Sequence, residues 1–89
     1  MIELILDECI YSKTLKRKLV EKLGIKILYM GDGVPDNVIR SYVSNSDSLI
    51  VTSDRQLYYS LGPKALFLES KTKLKEIVRI VKIWLDGLS

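Results

Sequence analysis

Three aspartates and a threonine stand where apolar runs give way to polar residues. Ile2 to Leu6 runs into Asp7-Glu8, Leu49-Ile50-Val51 runs into Thr52-Ser53-Asp54, and Asp36 follows Pro35 at the opening of another apolar-periodic segment. A carboxylate abutting a strand buried on both faces costs desolvation unless a cation or a hydrogen-bond donor meets it. Such oxygen donors suit hard cations: magnesium, manganese or calcium. The chain has no histidine and a single cysteine, Cys9. That composition excludes zinc sites, serine or cysteine triads and imidazole acid–base catalysis, leaving carboxylates, hydroxyls, lysine, arginine or a metal.

These acids need elements to bring them together. Ile2 to Leu6 reads as a strand buried on both faces. Ser12 can cap a helix to Leu23, with Leu15, Leu19 and Leu23 every four residues and Gly24 as the stop. Ile25 to Met30 is a second strand, Gly31-Asp32-Gly33 a turn, and Pro35 opens a helix carrying Val38, Ile39, Tyr42 and Val43. Leu49 to Val51 is a third strand, and Ser53 or Asp54 caps a short helix that Gly62-Pro63 stops. Ala65 to Leu68 is a fourth strand, and a last helix from Thr72 to Asp86 carries Leu74, Ile77, Val78, Val81 and Leu85 on one stripe.

Strands and helices alternating four times predict an α/β fold: a three-layer α/β/α sandwich on a short, mostly parallel four-stranded sheet. At 89 residues the chain is expected to be one domain, residues 1–89. The simplest order places strand one inside, with strand two on one side and strand three on the other. The chain direction then reverses beside strand one, at the default binding crevice. Neighbouring strands lie about 4.8 Å apart, close enough for Asp7, Glu8 and Asp54 to share cations at that edge. Glu8 points the other way from Asp7 if the strand geometry continues. Asp36 reaches the same edge from the second helix, although an acid in a first helical turn is also favoured by the macrodipole alone, and Asp54 also suits a helix cap.

The net charge is only +3, from 14 basic and 11 acidic residues. Lys13, Lys16, Arg17, Lys18 and Lys22 crowd the first helix and Lys71, Lys73, Lys75, Arg79 and Lys82 the last. Such rows attract a phosphate backbone or simply solvate a helix face. Arg55, beside Asp54, can clamp a phosphate or pair with that acid. Tyr58 and Tyr59 offer stacking surfaces, one of them belonging to the core. Cys9 reads as a small packing residue whose pKa the neighbouring acids raise. Beyond its stripe the last helix carries Ile80, Ile83 and Trp84, an apolar excess that predicts a homodimer or another protein partner. No segment has the length of a membrane span, the start does not resemble a signal peptide, and one cysteine fits a reducing, cytoplasmic compartment.

Leu6-Asp7-Glu8 before a helix, Asp36 three residues ahead of Ile39, and Thr52-Ser53-Asp54 followed by Leu57 together resemble the short PIN-like domains, related to VapC-type toxin ribonucleases and Mut7-like C-terminal domains. The likeness spans about residues 2 to 60. It implies a magnesium- or manganese-dependent ribonuclease that cuts RNA with a water nucleophile, in the setting of a toxin paired with an antitoxin-like protein. Carried over by position, Asp7 is the central metal ligand, Asp36 a helix-borne second carboxylate and Asp54 the third, with Thr52 orienting the cluster. Lys13, Arg17 and Arg55 would meet the nucleic acid. Relatives often carry further acids where this chain has Asn37, Val38 and Gln56, which leaves a second expectation open: a binding module that keeps the fold without catalysis. A receiver-like domain is a weaker likeness, lacking the lysine after the fourth strand.

Overall fold

Leu4, Ile5 and Leu6 are each at most 1% exposed, the condition of a strand with neighbours on both edges and helices on both faces. The computed structural model describes residues 2–88; Met1 and Ser89, included in the expected single-domain range, lie outside the described residues. Its elements run β1 (Glu3–Leu6), α1 (Lys13–Leu23), β2 (Lys26–Leu28), α2 (Asp36–Ser44), β3 (Leu49–Thr52), α3 (Arg55–Leu61), a 3-10 turn (Gly62–Lys64), β4 (Ala65–Phe67) and α4 (Leu74–Gly87). The sheet order is β2-β1-β3-β4 with every pair parallel. The fold is therefore the expected α/β architecture, with a sheet that is wholly rather than mostly parallel. β1 and β3 flank the point where the chain reverses direction across the sheet. Alternate β1 residues feed two cores. Leu4 and Leu6 pack with Leu15 and Leu19 of α1 and Ile77, Val81 and Leu85 of α4, while Ile5 packs with Ile39 and Val43 of α2 and Leu57 and Leu61 of α3. Each such side chain contributes about 1.5–3 kcal/mol on burial, so the two cores hold the helices to the sheet.

Local chemistry sets the ends. Ser12 Oγ accepts the Leu15 amide at 3.0 Å to start α1, and Gly24 ends it in the left-handed region at φ 63°, where a side chain is strained. Strands are shorter than their apolar runs. Ile2 and Ile25 lie outside β1 and β2, and β2 stops at Leu28 because its register with β1 ends at Ile5↔Leu28. Leu68 falls just past β4, yet its amide still donates to the Thr52 carbonyl at 3.0 Å. α4 starts at Leu74 rather than Thr72, since Thr72 is held in the preceding turn by the Glu69 carbonyl. Ile80 and Trp84 pack on the first core, which leaves Ile83, 58% exposed, and Leu88 as the uncovered apolar residues at that end. The patch is smaller than the sequence of α4 suggests. Among the described residues no helix is long and apolar enough to cross a membrane.

The opposite sheet edge is closed by Glu3. Its Oε1 accepts the hydroxyls of Tyr42 and Ser48 at 2.7 and 2.5 Å, and its Oε2 pairs with Lys26 Nζ at 3.3 Å. The Ser48 hydroxyl first, then the Tyr42 hydroxyl, holds the Glu3 carboxyl below the usual glutamate pKa. A carboxylate depressed in the folded state stabilises above its unfolded pKa, and that stability is lost as pH falls through the folded value. Glu3→Gln is accordingly expected to cost about 1 kcal/mol at pH 7, roughly 5 °C in melting temperature. The gap should narrow as pH falls below the ordinary glutamate range of about 4; thermal melts across pH check this, and a gap unchanged on acidification would refute the ionic contribution.

Candidate functional site

The acid at the end of β1 is held by the strand beside it. The Asp7 amide donates to the Val51 carbonyl at 3.0 Å, extending the β1–β3 ladder one residue past the strand. Asp7 Oδ2 accepts the Thr52 hydroxyl at 2.6 Å, and Oδ1 accepts the Glu8 amide at 3.0 Å. Thr52 is completely buried, and its Oγ1 also accepts the Asp54 amide at 3.0 Å. One hydroxyl thus fastens the end of β1 to the turn that begins α3. Asp54 caps that helix, with Oδ1 accepting the Gln56 and Leu57 amides at 2.9 and 3.2 Å. Of the two caps expected there, Asp54 and not Ser53 makes the bonds.

Asp36 is the first residue of α2, behind Pro35 as N-cap. Its pKa is raised, first by burial, then by a hydrogen bond with the Asp54 carboxyl and by the negative charges of Asp54 and Asp7; Arg40 opposes the rise. Asp36 at the start of α2 is therefore close enough to Asp7, just past β1, and to Asp54, the cap of α3, to feel both at the C-terminal edge of the sheet. Glu8 is exposed, and its Oε2 accepts the Gly33 amide at 3.0 Å, tying the β1–α1 loop to the loop that leads into α2. Gly33 stands at φ 72°, where a side chain would be strained. The Cys9 sulfur lies against Asp7 Oδ2 and accepts the Ser53 amide; burial raises its pKa, with Asp7 adding to the effect.

The remaining candidates lie around this edge. Arg55 lays its guanidinium over the Phe67 ring, 4.6 Å from the centroid, and forms no ion pair with Asp54. Lys13 and Arg17 are exposed on α1. Tyr58 is the core tyrosine, and Tyr59 is 72% exposed. Two tyrosines that the linear reading passes over, Tyr11 and Tyr29, stack with centroids 3.9 Å apart. They follow the ends of β1 and β2, so the expected neighbourhood of those strands is the signal that pairs them.

The donor set of Asp7, Asp36, Asp54 and Thr52 is oxygen alone; burial first and then the charges of Asp54 and Asp7 lift Asp36, and a hard cation would relieve both. Among the described residues no three His, Cys, Asp or Glu side chains are gathered as a metal cage. The set fits the magnesium mode, in which one or two carboxylates hold an ion that keeps several waters, better than an all-protein cage. No protein-family model, curated protein or solved structure matches the chain.

Two stability measurements follow. Without metal, Asp36→Asn should raise the melting temperature by a few degrees at pH 7, because it removes a charge that Asp54 and Asp7 disfavour. The raised pKa means this penalty is absent below about pH 3.9, where the carboxyl is protonated folded or unfolded, so the gain should vanish there. Thr52→Val, which keeps the shape but removes the donor to Asp7, should cost about 1.5–3 kcal/mol in denaturant unfolding; a neutral result would mean that the hydroxyl does not bind the two strand ends together.

Proposed function

We propose that this chain is a ribonuclease of PIN-like type that depends on magnesium or manganese and acts at the C-terminal edge of β1 and β3. The observation that carries the reading is the placing of Asp36 at the sheet edge where burial and the charges of Asp54 and Asp7 disfavour its ionised form, a cost that a bound cation would offset. When bound, a divalent ion lowers the pKa of a coordinated water and offsets charge on the phosphate under attack. Of Asp7, Asp36 and Asp54, one or two would hold it directly and the rest would reach its waters. Thr52 positions Asp7 through its hydroxyl, and Glu8 positions the loop ahead of Asp36 through Gly33. Arg55, steadied on Phe67, would meet a phosphate oxygen.

The second reading is a binding module without catalysis. It is favoured by the structural employment of the acids: Glu8 is taken by Gly33, one oxygen of Asp54 by two helix amides, and Gln56 adds no charge. A protein partner would then use the C-terminal end of α4, around Ile83 and Leu88.

Purified protein incubated with mixed RNAs in manganese, magnesium or EDTA separates the two. Cleavage is expected with either metal and not with EDTA, and Asp7→Asn and Asp54→Asn should lower it about a hundredfold. Asn also caps helices well, so the second variant should fold. Cleavage indifferent to EDTA and to both substitutions would reject the metal site. A parent that neither cleaves nor melts higher with manganese would favour the binding module instead.

A further inference from the structure

The first helix is built against a local electrostatic preference. Lys13, Lys16 and Arg17 fall within its first five residues and no acid stands in its first turn, although unpaired N–H groups make that end positive and favour acids there. Among the described residues none of these three cations makes an ion pair, whereas Arg79 and Lys82 of α4 are paired with Glu76 and Asp86. A local preference broken without internal compensation points to an external partner, and the sign of the charge says that the partner is anionic.

An aromatic wall stands beside this row. The Tyr11 and Tyr29 rings stack 3.9 Å apart with planes 6° from parallel. Tyr11, Lys13, Lys16, Arg17, Val20 and Glu21 line an open groove of about 540 Å3, three cations against one acid. The Tyr11 amide donates to the Asp7 carbonyl at 2.9 Å, so this tyrosine shares a turn with the central acid. Stacked rings next to free cations are the two components that bind single-stranded nucleic acid: bases on the aromatic faces, phosphates on the charges.

We infer that Tyr11, braced by Tyr29, and the Lys13, Lys16 and Arg17 row form a platform for single-stranded RNA. A base stacks on the tyrosine pair while flanking phosphates run along α1, and the turn shared with Asp7 delivers the strand to the acids. The inference rests on the ribonuclease reading for its purpose, but not for its test. A duplex, whose bases already stack on each other, gains only the phosphate contacts.

Binding is measured in EDTA, so that no cleavage intervenes, by anisotropy of a fluorescein-labelled ten-nucleotide oligouridylate on the full chain. Tyr11→Leu should weaken it about tenfold, with Tyr11→Phe restoring it. The triple Lys13→Gln, Lys16→Gln, Arg17→Gln variant should flatten the slope of log affinity against log salt by about 2. In the parent, with no variant involved, tyrosine ring resonances should move upfield on adding the oligonucleotide. An oligothymidylate binding alike would extend the platform to DNA single strands. Equal affinity of parent and Tyr11→Leu, unmoved ring resonances, or a salt slope untouched by the triple variant would overturn the platform. Binding in EDTA with no cleavage in manganese keeps the platform and removes the nuclease; cleavage in manganese with undiminished binding by Tyr11→Leu does the reverse.

Discussion

The hydroxyl of Thr52 is the point on which the C-terminal edge depends. It has no exposure to water, donates to Asp7 and accepts from the Asp54 amide, so one group serves the end of β1 and the start of α3 together. A buried hydroxyl without partners is costly, and Thr52 finds both of its partners at the strand ends. Asp7 gains a donor for an oxygen that the apolar strand behind it cannot solvate. α3 gains a fixed starting direction, because the Asp54 backbone is set before its side chain caps the helix.

Positioning of that quality comes with electrostatic tension. Asp36 is lifted by burial and by Asp54 and Asp7, and α1 carries three of its five cations within its first five residues, where they are least welcome. Both features lower stability in the isolated chain, and both would be relieved by ligands of opposite charge: a hard cation among the acids, a phosphate backbone along the helix. Glu3 shows what the same fold does with an acid that serves stability alone. It is surrounded by two hydroxyls and a lysine, and its pKa falls instead of rising.

Much of this is written locally. Ser12, Gly24 and Asp54 declare helix ends through capping chemistry that depends on the next few residues, and the unbroken apolar run before Asp7 identifies an interior strand. Strand lengths are less legible, because Ile25, Tyr29 and Met30 stay apolar or aromatic beyond the point where β2 has a partner. The partners of Glu3, 39 and 45 residues away, leave no trace in its surroundings along the chain. Glu8 illustrates the same limit within the site: its type and place suit a ligand, and only the folded position of Gly33 shows that one of its oxygens also ties two loops together.

Because every strand pairing in this sheet is parallel, none can form as a local hairpin; each waits for a helix to be threaded between its members. Asp7, Asp36 and Asp54 are supplied in order by three successive crossover units, and Asp7 is clamped only once β3 lies beside β1. During synthesis, then, the emerging chain carries no assembled acid cluster until the stretch through Leu57 has left the ribosome. Whatever this edge does to its ligands is withheld from the unfinished chain by topology.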